Sequence, residues 1–90
     1  MESNHEQAVA RAAELLGPLA ARDVPIGPMT TYRVGGSADL FVRLTARDQI
    51  PTVATALHVS GLPLLVIGRG SNLLVADAGF RGVALSIADI

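Results

Sequence analysis

The residues best suited to chemistry are Gly68, Arg69, Gly70, Ser71 and Asn72, followed by Leu73. An apolar run, Leu62 to Ile67, leads in, and a second one, Leu73 to Ala76, leads out. Glycine at positions 68 and 70 permits positive φ and lets a ligand approach the main chain. Ser71 and Asn72 add hydroxyl and amide groups. Arg69 adds a permanent charge on a planar fork of donors. Such a set suits a phosphate group. It equally describes a polar turn between two strands, and the pentapeptide alone leaves both readings open.

Two familiar phosphate motifs do not fit. A P-loop requires lysine after its second glycine, and the chain contains no lysine. The dinucleotide fingerprint Gly-x-Gly-x-x-Gly requires glycine at 73, where Leu73 stands. It also requires a following helix, whereas Leu73-Leu74-Val75 reads as a strand. An anion held here is therefore held by loop N–H groups around a concavity. Each hydrogen bond to a charged oxygen contributes roughly 1.5–3 kcal/mol, so several together can hold a pyrophosphate.

The elements that must position this loop follow from apolar spacing. Residues 3–16 read as a helix with Ser3 as cap, Glu6 at capping-box spacing, and Val9, Ala12, Ala13, Leu15 and Leu16 on one face. Gly17-Pro18 ends it. Residues 17–31, punctuated by Pro18, Pro25, Gly27 and Pro28, read as irregular. Thr30 to Val34 favours extended backbone, and Gly35-Gly36 marks a tight turn or a close approach. Asp39 to Leu44 is a strand, with Leu40, Val42 and Leu44 on one face and Phe41 on the other. A helix over 45–60 follows, capped by Thr45 or Asp48 with Pro51 in its first turn. Its buried stripe is Ile50, Val53, Ala54 and Leu57, with His58 at the boundary, and Ser60-Gly61 closes it. Leu64 to Ile67 reads as a strand covered on both faces. The strand-helix-strand unit over 39–67 predicts two parallel strands joined by a right-handed crossover. Gly68 then sits at the carboxyl edge of the second strand, where ligands collect in open α/β sheets. Strands at 73–75 and 83–87 complete the pattern, with a turn at Asp77-Ala78-Gly79 in which Gly79 is free to take positive φ. The fold class is α+β: an N-terminal helix, then β-α-β-β-β.

Composition narrows the function classes. Ninety residues make at most one small domain, and half of them are hydrophobic. With only Tyr32, Phe41 and Phe80 as aromatics, the core is built from Ala, Val, Leu and Ile. A net charge of −1 with seven scattered arginines argues against a nucleic-acid binder. There is no cysteine for a disulfide or thiolate metal site, and His5 and His58 lack carboxylates at ligand spacing. No apolar run is long enough to span a membrane, and no signal peptide is visible. A cytoplasmic protein is expected.

The order and spacing of several weak motifs together resemble a known family. Thr30-Thr31-Tyr32-Arg33-Val34-Gly35-Gly36-x-Ala38 comes first, then the β-α-β unit. Gly68-x-Gly70-Ser71-Asn72-Leu73-Leu74 and Gly79-Phe80-x-Gly82-Val83 follow. Across residues 24–88 the chain resembles the N-terminal part of bacterial UDP-N-acetylenolpyruvoylglucosamine reductases. The resemblance implies residues 1–29 as a helix and irregular lead-in, and 30–90 as the first, small-sheet half of an FAD-binding domain of the vanillyl-alcohol-oxidase (PCMH) type. It implies that Gly68, Arg69, Gly70, Ser71, Asn72 and Leu73 lie against the FAD pyrophosphate, and that Tyr32 to Gly36 opens the FAD domain.

The family's reaction is an NADPH-dependent reduction of a CH–CH group in peptidoglycan precursor synthesis. Its catalytic arginine, serine and carboxylate, and its UDP-sugar site, have no counterpart among these 90 residues. The chain therefore reads as an N-terminal portion, inactive alone, with apolar faces left exposed. Two other classes remain open on the residues: a stand-alone nucleotide- or flavin-phosphate-binding module, and an interaction domain docking through the first helix.

Overall fold

A computed structural model describes residues 2–26, 36–68 and 79–87. Helix α1 spans Glu2–Leu16, so Ser3 lies inside its first turn rather than before it. Val9, Ala12 and Leu16 recur at helical spacing and are buried. Gly17 ends the helix at φ 56, and Gly17–Leu19 forms a short 3-10 turn with the Ala20 N–H donating to the Gly17 carbonyl.

The segment expected to be irregular contains a strand. β1, Ala20–Pro25, pairs antiparallel with β2, Ser37–Leu44. Its residues show no apolar alternation, because it is an edge strand with most of its positions exposed. Pairing with β2, not intrinsic preference, makes it a strand. The ladder runs one step further, where the Ile26 N–H donates to the Gly36 carbonyl at 3.2 Å and Ile26 is fully buried.

β2 alternates as expected. Leu40, Val42 and Leu44 are buried on the helix side, and Phe41 is half-buried on the other. Arg47–Gln49 forms a 3-10 turn, and α2 spans Ile50–Ser60. Neither Thr45 nor Asp48 caps it by a side chain. Instead the Gln49 Oε1 accepts from the Thr45 N–H at 2.9 Å and the Ala46 N–H at 3.2 Å, closing the turn from below. Pro51 stands in the first turn of α2, where its missing N–H costs little. Gly61 terminates α2 at φ 71, its N–H donating to the Leu57 carbonyl at 2.9 Å. The buried stripe differs from expectation: Val53 and Ala56 face the core with Leu57 half-buried, while Ile50, Ala54 and His58 are exposed. α2 packs against α1 as well as the sheet, and that rotates the stripe.

β3, Leu64–Ile67, and β4, Phe80–Ile87, complete a four-stranded sheet in the order β1-β2-β4-β3. β2 and β3 both run parallel to β4. The parallel direction expected for the strand-helix-strand unit is found, but β4 is inserted between its two strands. Among the described residues β3 is thus an edge strand, with Leu64 and Val66 exposed, and is not covered on both faces. The expected strand at 73–75 and the turn residues Asp77 and Ala78 lie outside the described residues.

Two cores flank the sheet. The larger joins Val9, Ala12 and Leu16 of α1, Val53 and Ala56 of α2, and Leu40, Val42, Leu44, Val83 and Leu85 of the sheet. A smaller one on the opposite face gathers Ile26, Ala38, Ile67 and Ala84. Burial of a side chain such as Leu40 contributes about 1.5–3 kcal/mol.

Candidate functional site at the carboxyl edge of the parallel strands

The parallel strands β2, β4 and β3 end together. Leu44 is opposite Ile87, and Ile67 is opposite Ser86. Gly68 follows directly, exposed, at the carboxyl end of β3. α2 departs from the same edge after the turn at Ala46–Gln49. The first candidate site residue is therefore where the sequence places it, on the edge at which parallel strands present backbone to ligands. The rest of the candidate loop, Arg69, Gly70, Ser71, Asn72 and Leu73, lies outside the described residues, as does Tyr32 to Gly35.

The other glycines of the motif series have a different task at the opposite edge. Gly79 takes φ 89, as its turn position suggested, and a Cβ there would lie 2.1 Å from the Ser37 carbonyl oxygen. Gly82 sits where β4 has one residue more than β2: Ala38 is opposite Phe80, but Leu40 is opposite Val83. A Cβ on Gly82 would lie 2.4 Å from the Pro63 carbonyl oxygen, which accepts the Val83 N–H at 3.0 Å. These glycines let the entrances of β2, β3 and β4 close on one another. They set the register that brings Ile67 and Gly68 level with the end of β4.

One polar contact had no signal in the sequence. The His5 Nε2 lies 2.6 Å from the Asp39 Oδ2, both side chains about three-quarters buried, joining α1 to β2 across 34 positions. Only the tertiary fold brings these two together. Among the described residues no group of three His, Asp or Glu side chains is arranged to hold a metal. No helix among them is long and apolar enough to cross a membrane.

Fold and edge define an α+β unit among the described residues: two helices over a mixed four-stranded sheet, with Gly68 following where the parallel strands end. Comparison with known proteins finds homologues of one name. The chain is 46% identical over 76 residues to a UDP-N-acetylenolpyruvoylglucosamine reductase of Geobacter metallireducens, covering 84% of this chain and 25% of that protein. It is 48% identical over 66 residues to the protein of the same name from Anaeromyxobacter sp. strain K, covering 73% of this chain and 20% of that one. A third, from Geobacter sulfurreducens, is 41% identical over 85 residues, 94% of this chain and 28% of the relative. The chain is homologous to UDP-N-acetylenolpyruvoylglucosamine reductases and spans about a quarter of the length of the relatives it matches. No protein-family model matches it.

Proposed function

We propose that the chain is the flavin-binding N-terminal portion of a UDP-N-acetylenolpyruvoylglucosamine reductase, residues 30–90 forming the first half of a PCMH-type domain. The observation that carries this reading is identity of 40–48% to proteins of that name over most of the chain. The position of Gly68 supports it. An exposed glycine at the carboxyl edge, with no side chain of its own, is compatible with close approach of a pyrophosphate to the main chain.

FAD, when bound, supplies the hydride relay from NADPH to the enolpyruvyl double bond. The share of this chain is binding and orientation. Gly68, Gly70, Ser71, Asn72 and Leu73 offer backbone N–H groups to the pyrophosphate, Ser71 and Asn72 add side-chain donors, and Arg69 adds positive charge. Proton transfer and recognition of the UDP-sugar belong to parts of the enzyme outside these residues. The setting is peptidoglycan precursor synthesis in the cytoplasm.

The test grafts the matched 76 residues into the Geobacter metallireducens relative in place of its own segment. Gly70→Val in this chimera crowds the proposed cradle and removes its close approach. Loss of one or two charge-assisted hydrogen bonds, about 1.5–3 kcal/mol each, lowers flavin affinity by roughly tenfold or more. Flavin absorbance of the purified protein reads this directly. A folded Gly70→Val chimera with unchanged flavin affinity contradicts the assignment of the loop.

A further inference from the structure

The two halves of α1 are held differently. Val9, Ala12 and Leu16 are buried in the larger core, so the second half is fixed by apolar packing. Ahead of Val9, Asn4, Glu6 and Gln7 are exposed, and Ala8 is half-buried against the core. The tie of these early turns to the sheet is polar. His5 and Asp39 are both about three-quarters buried, and an ionised carboxylate accepts only, so the Nε2–H donates to Oδ2 at 2.6 Å. Asp39 stands where β2 turns over. Ala38 belongs to the smaller core and Leu40 to the larger one on the other face, although residues two apart in a regular strand share a face. The register against β4 shifts between these same two residues. On β1, Arg22 is opposite Leu40 and Val24 opposite Ala38, which brings Asp23, at φ 54, level with Asp39. Irregularity in both ladders gives the Asp39 carboxylate to the helix side, where His5 meets it.

We propose that the first two turns of α1 form a strap over the entrance of the sheet, latched by His5 and Asp39, which opens as a unit while the helix from Val9 onward stays docked. Opening breaks one hydrogen bond to a charged group and lifts no buried apolar side chain out of the core. Segments with few buried apolar contacts open locally at a free energy well below that of global unfolding. The latch sets that energy for the strap, because no other side-chain hydrogen bond or ion pair among the described residues joins α1 to the sheet. Asp39 lies near the start of β2, at the end of the sheet away from Gly68, and the strap is independent of flavin binding.

The experiment is amide hydrogen exchange on the 90-residue chain. The amides of residues 6–9 donate to carbonyls within the strap, and those of residues 13–16 to carbonyls within the docked half. His5→Ala favours helix by propensity, so a loss of protection in that variant reports the latch. His5→Ala and Asp39→Ala should each lower protection at residues 6–9 by about tenfold or more, the worth of one hydrogen bond to a charged group. Protection at residues 13–16 and along β2 should be unchanged. The double variant should lose no more than either single one, since the two side chains act as a pair. Arg11→Ala, which removes the exposed 3.6 Å pair with Glu14 on the same helix, should change nothing at residues 6–9. Unaltered protection there, loss with one single variant but not the other, additive loss in the double variant, or equal loss throughout the chain overturns the proposal.

Discussion

At the scale of the residue, glycine does two unlike jobs in this chain. At the entrance of the sheet Gly79 and Gly82 permit backbone contact with Ser37 and Pro63. At the exit Gly68 follows β3 directly and is exposed. Gly79→Ala combines left-handed strain of about 1–2 kcal/mol with overpacking of about 1–3 kcal/mol. Denaturant unfolding should therefore show a loss of roughly 2–5 kcal/mol. An unchanged midpoint would mean that the Ser37 contact is not required. Asp23 at φ 54 is a second test. Aspartate tolerates this conformation and a β-branched residue does not, so Asp23→Val should lose about 1–2 kcal/mol despite its exposure. The positive φ of Gly79 was legible from its place after Asp77-Ala78. The closeness of Ser37 was not, because a backbone contact across 42 positions leaves no mark in local spacing. The same is true of His5 and Asp39.

At the scale of the element, both helices and the strands at 39–44, 64–67 and 83–87 were readable from apolar period and turn residues. Their ends were readable too, with Gly17 and Gly61 where stop signals stand. β1 was hidden because an exposed edge strand has no apolar alternation to betray it. The buried face of α2 was misread because periodicity gives the width of a stripe but not the neighbours that choose its centre. Ile50 has the chemistry of a core residue and sits in solvent. The turn before α2 has its own device in Gln49. Gln49→Ala removes acceptance from the Thr45 and Ala46 N–H groups and should cost about 0.5–1.5 kcal/mol, a modest value because the N–H groups can turn to water. Hydrogen exchange at residues 45 and 46 should quicken. Unaltered protection there would show that the side chain does not hold the turn.

At the scale of the whole molecule, the sheet order departs from the simplest reading. Two parallel strands joined by a helix were expected and are found, and β4 lies between them. Sequence spacing fixes the direction of such strands, whereas the place of β4 depends on a bulge and two glycine contacts that only the assembled sheet contains. The candidate loop was legible as five small, polar or cationic residues between apolar runs. Its start at the carboxyl edge is where the structure sets Gly68. Among the described residues Ile50, Val59, Leu64, Val66 and Ile87 are exposed large apolar side chains. The proposed role of this chain as a working part of a reductase is tested most directly by the chimera without further substitution. With its matched segment replaced by that of this chain, the Geobacter metallireducens relative should keep reducing UDP-N-acetylenolpyruvoylglucosamine, within about tenfold of its own rate, or roughly 1.4 kcal/mol in barrier. A folded chimera that neither retains flavin nor turns over substrate would contradict it.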